Sequence, residues 1–112
     1  MREASETERQ AAILDYLRLR GHLSFRLNNT PVSFVDKHGE RRFRSLGKYA
    51  MKGIPDIVLI NYKENGRFYG IEVKAETGRL SDEQKEFQRL CEKHGGVYIV
   101  ARSIDDVAAH GL

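Results

Sequence analysis

Two short segments in the middle of the chain constrain its fold most strongly. They read GIPD at residues 53–56 and GIEVK at residues 70–74. Between them, the apolar run at residues 57–60 predicts a buried strand, and residues 64–66 predict a turn. Residues 68–75 predict the partner strand. The sequence therefore places one acid at the head of a strand, and a second acid with a lysine inside the next strand.

The charged residues of these strands favour a metal site. Since Pro55 cannot donate a ladder hydrogen bond, the first strand begins at or just before Asp56, whose side chain then lies near solvent. Side chains alternate along a strand, so Glu72 and Lys74 share one face of the second strand. Burying such charges is costly unless they are paired. A divalent cation between Asp56 and Glu72, beside Lys74, would satisfy all three groups. A cross-strand salt bridge without function is the alternative.

Length and composition restrict the class of protein. The chain has 112 residues, enough for one compact domain, which we expect to span residues 1–112. No apolar run approaches the roughly 20 residues of a membrane span, and no signal peptide is visible. A single cysteine, Cys91, excludes an internal disulfide framework and a cysteine-rich zinc site. A reducing, cytosolic setting fits these features best.

Positive charge is concentrated in one segment of the chain. The formal net charge is only +3, but residues 37–52 contain six Lys or Arg side chains against one acid, Glu40. A basic segment beside an acidic, metal-suited centre is what a phosphodiester substrate requires. A solvated basic hairpin is the alternative interpretation.

The first helix is predicted over residues 5–20, where Ser5 and Glu8 have the spacing of a capping box. At 100° per residue, Glu6 and Gln10 fall in line with the apolar stripe of this helix, whereas Glu8 does not. A carboxylate and an amide that extend an apolar face favour a functional site. The alternative is that both lie in a solvated first turn.

The remaining elements complete an α/β order. They are, in sequence, a strand at residues 22–27, a hairpin of residues 32–35 and 41–44, the two central strands, a helix at residues 82–94, a strand at residues 97–101 and a closing helix at residues 103–110. Ser81 and Gln84 form a second capping box, and Gln84 could cap its helix, reach the site, or do both. Cys91 falls in the apolar stripe of that helix, which predicts a core thiol and not a nucleophile.

The central residue types suit phosphodiester hydrolysis. Mg²⁺ and Mn²⁺ prefer oxygen ligands, which Asp56, Glu72 and a backbone carbonyl such as that of Val73 could supply. A bound metal lowers the pKa of a coordinated water and polarises a phosphoryl oxygen. Lys74 could hold the attacking water or neutralise charge that develops on phosphorus. Glu6 could bind a second metal, or orient the first through water.

These motifs resemble those of a known nuclease family. Asp56 followed by EVK at residues 72–74 resembles the PD-(D/E)xK signature of the restriction-endonuclease-like superfamily. The fuller pattern resembles the VRR-Nuc (virus-type replication-repair nuclease) family in four motifs: SE at residues 5–6 with Gln10, GIPD at residues 53–56, GIEVK at residues 70–74, and GRLS at residues 78–81 with Gln84. The resemblance covers residues 5–105, and four ordered motifs are far more specific than a bare D…ExK pattern.

The resemblance implies a metal-dependent DNA endonuclease of the α/β class, with a restriction-endonuclease-like core in which helices flank a mixed central sheet. Asp56, Glu72 and the carbonyl of Val73 would hold Mg²⁺ or Mn²⁺, and Lys74 would be catalytic. The helix-borne acid would be Glu6, with Glu3 and Glu8 as the other candidates, and Gln10 or Gln84 would assist. The expected DNA-facing residues are Arg26, Asn28, Asn29, Arg41, Arg42, Arg44, Lys48 and Lys52.

Stand-alone family members of this size are expected to be viral or phage homodimers that resemble Holliday-junction resolvases. By the same resemblance, the partner is branched DNA and the setting is the cytoplasm of a bacterial or phage-infected cell, in DNA repair or replication. No membrane or nucleotide cofactor is implied. The alternatives are a nickase or flap cutter without junction preference, and a DNA-binding module that does not cut. A small-molecule enzyme is a more distant alternative, because nothing in the sequence cradles a nucleotide.

Overall fold

The structure, a computed structural model, describes residues 2–27, 32–44 and 48–112, with only the backbone described at residues 32, 33, 43 and 44. The elements are α1 (Glu6–Leu19), β1 (Leu23–Arg26), β2 (Val32–Val35), β3 (Arg41–Arg44), β4 (Ile57–Asn61), a single 3₁₀ turn (Tyr62–Glu64), β5 (Arg67–Val73), α2 (Asp82–Lys93), β6 (Val97–Ala101) and α3 (Ile104–Ala108). Their types and order agree with the sequence prediction.

The described strands form one mixed sheet and a separate hairpin. The sheet has the order β1-β4-β5-β6, while β2 pairs only with β3. Strand β4 runs antiparallel to β1 and β5, and β6 runs parallel to β5. The parallel pair requires a crossover connection, which α2 provides between β5 and β6. The predicted mixed central sheet flanked by helices is confirmed.

The main core lies between one face of this sheet and helices α1 and α3. Alternate residues of the strands, such as Leu59 of β4 and Ile71 of β5, point to this face and are fully buried. Helix α1 contributes Ile13 and Leu17, which are spaced four residues apart and therefore lie on one side of the helix. Burial of these side chains fixes which face of β5 is apolar, and so directs Glu72 to the opposite face.

The opposite face of the sheet packs against α2. The ring of Phe87 lies 6.5 Å from that of Phe68 on β5 and 6.2 Å from that of Tyr98 on β6, measured between centroids. Cys91 is buried beside them, and its thiol donates a hydrogen bond to the carbonyl of Val97 over 3.7 Å. Burial also raises the pKa of this thiol. The predicted role of Cys91 as a core thiol is confirmed.

Both predicted capping boxes are present. The Ser5 hydroxyl accepts a hydrogen bond from the Glu8 amide, and the Ser81 hydroxyl accepts one from the Gln84 amide. The side chains of Glu8 and Gln84 return bonds to the two serine amides. These bonds begin the helices where the sequence predicts. None of the helices in the described ranges has the length and apolarity needed to cross a membrane.

Candidate metal centre

Close packing of backbone against backbone delivers Asp56 to the site. Gly53 has a positive φ of 76°, and a Cβ atom there would overlap the carbonyl of Glu83 in the first turn of α2. Two residues later, Pro55 lies over Gly70 of β5, where an added Cβ would be 2.9 Å from the proline ring. Both glycines therefore let the segment before β4 lie flat against its neighbours. This explains why the two motifs each contain a glycine at these positions.

Asp56 is fixed between β1 and β5. Its carbonyl accepts a hydrogen bond from the Leu27 amide at 2.8 Å, which extends the pairing of β1 with β4. Its carboxylate oxygen Oδ2 accepts a hydrogen bond from the Val73 amide, also at 2.8 Å. Because the amide and carbonyl of one strand residue point to the same side, the Val73 carbonyl is also directed towards Asp56. The Asp56 carboxylate and the Val73 backbone thus lie side by side where β4 begins.

Glu72 is the most unusual residue of this site. It is only 3% exposed, although it is charged at neutral pH when solvated. Its Oε2 atom lies 3.5 Å from the Lys74 ammonium, whereas its Oε1 atom is buried with no hydrogen-bond donor among the described residues. A buried carboxylate oxygen without a partner is costly. Lys74 therefore compensates Glu72 only in part.

The surroundings of Glu72 disfavour its charged form. Burial, the negative charge of Asp56 and a hydrogen bond with the Asp56 side chain raise the pKa of Glu72 to about 8. Lys74 acts in the opposite direction, but does not cancel these effects. Two carboxylates this close share a proton when no metal is present, and a divalent cation removes the repulsion. The donor set of Asp56, Glu72 and the nearby carbonyl is of the oxygen type that Mg²⁺ and Mn²⁺ prefer.

The described residues contain no group of three or more acidic, histidine or cysteine side chains that could hold a metal together. Glu6 therefore stands apart from the Asp56–Glu72 pair. Its Oε2 atom accepts a hydrogen bond from the Ala75 amide at 3.2 Å. Glu6 thus contacts the chain just after Lys74, and lies beside the site instead of within it.

The other helix-borne candidates also have assigned partners. Glu3 accepts a hydrogen bond from the Glu76 amide at 2.8 Å, and Glu8 is occupied by its cap and by Arg2 at 2.7 Å. The Gln84 side chain bonds to the Ser81 amide at 2.9 Å, so it caps α2. Gln10 is half-buried on α1. The structure thus brings Asp56, Glu72, Val73 and Lys74 together, with Glu6 at the margin.

The predicted DNA-facing residues occupy several places. Register pairs Arg26 with Ile57, which puts it on the α1 side of the sheet, opposite to Glu72. Arg42 is paired with Asp36 at 2.9 Å. Arg41, Lys48 and Lys52 are exposed, and the Lys48 ammonium lies over the ring of Tyr49. Asn28 and Asn29 lie outside the described residues, as does the side chain of Arg44.

Sequence reasoning missed two residues at this site. Arg102 donates hydrogen bonds to the carbonyls of Glu76 and Gly78, at 3.2 and 2.7 Å, and so braces the loop that follows Lys74. Tyr98 lies buried on the same face of the sheet as Glu72. The alternation of β6 could have placed Tyr98 on a face, but not beside Glu72, because strand order was not predictable.

Together the fold and site define an α/β domain in which helices flank a mixed sheet, with two carboxylates and a lysine close together where β4 begins and β5 ends. The profile of the VRR-NUC domain matches residues 4–105. The chain therefore belongs to the VRR-NUC family, and family membership indicates a nuclease, hence an enzyme. A solved structure described as a VRR_NUC domain is similar to this chain, with a TM-score of 0.62 and 21% sequence identity over 95% of this chain and 94% of that one. At this identity the likeness shows the fold. A search of curated proteins gave no match.

Proposed function

We propose that this chain is a metal-dependent DNA endonuclease whose metal, Mg²⁺ or Mn²⁺, is held by Asp56, Glu72 and the carbonyl of Val73. The observation that carries the proposal is the buried Oε1 atom of Glu72, which has no donor among the described residues and lies in a carboxylate pair. A structural salt bridge alone would leave this oxygen uncompensated. A cation would supply the missing charge.

Each residue of the site has a distinct task in phosphodiester hydrolysis. When bound, the metal would polarise the phosphoryl oxygen and lower the pKa of a coordinated water. The Val73 amide holds the carboxylate of Asp56 in place, which pre-organises one ligand. The Lys74 ammonium, half-buried beside Glu72, would orient the attacking water and neutralise charge on the phosphorus centre. We propose that Glu6 acts indirectly, by holding the chain at Ala75.

We propose branched DNA of the four-way-junction type as the substrate, and a homodimer as the active form. The exposed basic residues between β2 and β4, such as Lys48 and Lys52, supply charge for phosphate contacts. We propose that Arg26, Asn28, Asn29, Arg41, Arg42 and Arg44 add to this surface. A pair of chains related by a two-fold axis would place two sites on two strands. We further propose that the chain forms a single domain over residues 1–112. We also propose that it acts in the cytoplasm, in DNA repair, in a phage or bacterial context. Gln10 and Gln84 are proposed to assist.

The test is a cleavage assay on a panel of DNA structures labelled on each strand. Four-way junction, flap, nicked and linear duplexes are incubated with the protein and Mg²⁺ or Mn²⁺. We expect symmetric cutting of the junction, and a loss of about 100-fold or more in Asp56→Ala and Lys74→Ala, because each removes charge that stabilises the transition state. Asp15→Ala and Lys93→Ala are matched controls, since both residues are exposed on helix surfaces.

The outcomes separate the alternatives. Equal cutting by wild type, Asp56→Ala and Lys74→Ala would refute the assigned site. Preference for nicked or flapped duplexes would retain the site and replace the substrate. Binding of the junction without cleavage in either metal would favour a DNA-binding module that does not cut.

A further inference from the structure

A second buried polar group lies on the same face of the sheet as Glu72. The hydroxyl of Tyr98 is buried and has no hydrogen-bond partner among the described residues, and the whole residue is 8% exposed. Tyrosine hydroxyls that are buried in proteins usually find a partner. Two such unpartnered atoms on one face, the Tyr98 hydroxyl and Oε1 of Glu72, point to a shared partner.

The sheet register makes these two residues neighbours. Strands β5 and β6 run parallel, with Tyr98 opposite Gly70 and Val100 opposite Glu72. Tyr98 and Glu72 are therefore diagonal neighbours on one face, and the strand spacing and rise place their Cα atoms about 8 Å apart, which a tyrosine side chain can span. Gly70 carries no side chain between them. The ring of Phe87 packs against Tyr98 from α2 and holds it over the sheet.

The chemistry of Tyr98 suits a hydrogen-bond donor. Burial and the nearby charges of Glu72 and Asp56 raise the pKa of Tyr98 well above its usual range, so the phenol keeps its proton. Neither buried oxygen has a hydrogen-bond partner among the described residues. A water between them would give the hydroxyl an acceptor and still leave Oε1 a second lone pair for the metal. Groups that hold a metal-ligating carboxylate from behind orient it and strengthen metal binding.

We propose that Tyr98 is a positioning residue of the metal centre: its hydroxyl donates a hydrogen bond, through one water molecule, to the Glu72 carboxylate and so orients that carboxylate towards the metal. The inference rests on the metal centre proposed above. Tyr98 itself touches neither metal nor DNA. It acts through Glu72, by setting the orientation of the carboxylate and so the affinity of Glu72 for the metal.

The test is calorimetric titration of Mn²⁺ into wild type, Tyr98→Phe and Tyr69→Phe. Tyr69 is a matched control, because it is a buried tyrosine on β5 that faces the opposite side of the sheet and donates to Glu64 at 2.6 Å. We expect Tyr98→Phe to bind Mn²⁺ about tenfold more weakly than wild type. Tyr69→Phe should bind it as wild type does.

Two further readouts distinguish positioning from packing. Since Tyr98→Phe keeps the ring that packs against Phe87 and removes only a water-mediated hydrogen bond, the metal-free variant should unfold at a urea concentration close to that of wild type. Its cleavage rate should fall at low Mn²⁺ and recover at high Mn²⁺, because the defect lies in metal affinity.

Equal Mn²⁺ affinity in wild type and Tyr98→Phe would overturn the inference and leave the proposed nuclease intact, provided that wild type binds Mn²⁺ and cuts DNA. A wild-type protein that neither binds Mn²⁺ nor cuts would overturn the proposed function, and this inference with it. A loss of affinity in Tyr69→Phe equal to that in Tyr98→Phe would also overturn it, since the effect would then be general to buried tyrosines.

Discussion

At the scale of single residues, Glu72 is the one acidic residue that is buried in the described part of the chain. This glutamate is 3% exposed and lies next to a second carboxylate, so burying its charge destabilises the folded protein. The Lys74 ammonium, 3.5 Å from Oε2 of Glu72, offsets part of that destabilisation. Proteins commonly retain such a destabilising arrangement where function needs it, and the proposed metal centre would be such a function.

The raised pKa of Glu72 has a consequence for stability that can be measured. Its folded-state pKa of about 8 lies above its ordinary value of 4.5, so the folded protein binds the proton more tightly than the unfolded chain. The stability that this proton contributes is complete below about pH 4.5 and is lost as the pH rises through about 8. The free energy of unfolding of the metal-free protein should therefore fall across this range.

Urea unfolding at several pH values, in wild type and Glu72→Gln with chelator present, isolates this effect. Glutamine has the shape of protonated glutamate and does not titrate. We expect the wild type to lose stability relative to Glu72→Gln as the pH rises from 5 to 9. A constant difference between the two proteins across that range would show that the Glu72 pKa is not raised.

At the scale of elements, the segment before β4 is shaped by its contact with the first turn of α2. Gly53 has a positive φ of 76° and lies against the Glu83 carbonyl. A side chain there would therefore strain the backbone and also overlap that carbonyl. Gly21 shares the positive φ, at 82°, but an added Cβ would meet nothing within 4 Å. Substitution of Gly21 therefore measures the backbone strain alone, and substitution of Gly53 measures that strain together with the steric overlap.

We expect Gly53→Ala to destabilise the protein by more than Gly21→Ala, whose cost is the backbone term of about 1 kcal/mol. The overlap at Gly53 adds to that term and displaces Asp56, so cleavage should also fall in Gly53→Ala. Urea unfolding and the junction assay measure both effects. Equal destabilisation by the two substitutions would mean that the contact with α2 is not tight.

The first turn of α1 contacts the site through the chain that follows Lys74. Glu6 accepts a hydrogen bond from the Ala75 amide, and Arg102 binds two carbonyls of the same loop. Glu6→Gln retains an oxygen that can accept from Ala75, whereas Glu6→Ala removes it. We expect Glu6→Gln to keep most of the cleavage activity, and Glu6→Ala to lose activity together with about 1 kcal/mol of stability.

Cleavage kinetics and urea unfolding of both variants test this role. Activity lost equally in Glu6→Gln and Glu6→Ala would assign Glu6 to the metal itself, because an amide cannot replace a carboxylate charge there. Glu3→Gln is the control, because Glu3 accepts a hydrogen bond from the Glu76 amide in the same loop.

The elements themselves were largely predictable, because their signals are local. Capping boxes at Ser5 and Ser81 mark two helix starts, and Pro55 marks the start of a strand. The predicted acid, acid and lysine of the site also came from local motifs, and the structure brings them together. Gln84 was left open between a cap and the site, and its side chain caps α2.

At the scale of the whole molecule, local sequence patterns did not predict how the strands are ordered. The order β1-β4-β5-β6 and the parallel pairing of β6 depend on contacts between residues far apart in the chain. The same long-range pairing brings Tyr98 next to Glu72, and Arg102 next to the loop after Lys74. These residues have no local motif, which is why only the structure connects them with the site.

The mixed sheet brings two acids and a lysine together where β4 begins and β5 ends, and we propose that a divalent cation binds there. The most direct measurement is anomalous diffraction at the manganese edge from crystals soaked in Mn²⁺. We expect one strong peak within coordination distance of the carboxylates of Asp56 and Glu72, and none in crystals of Asp56→Ala. Manganese peaks found only at other positions, with both carboxylates ordered and no metal between them, would contradict the proposed metal centre.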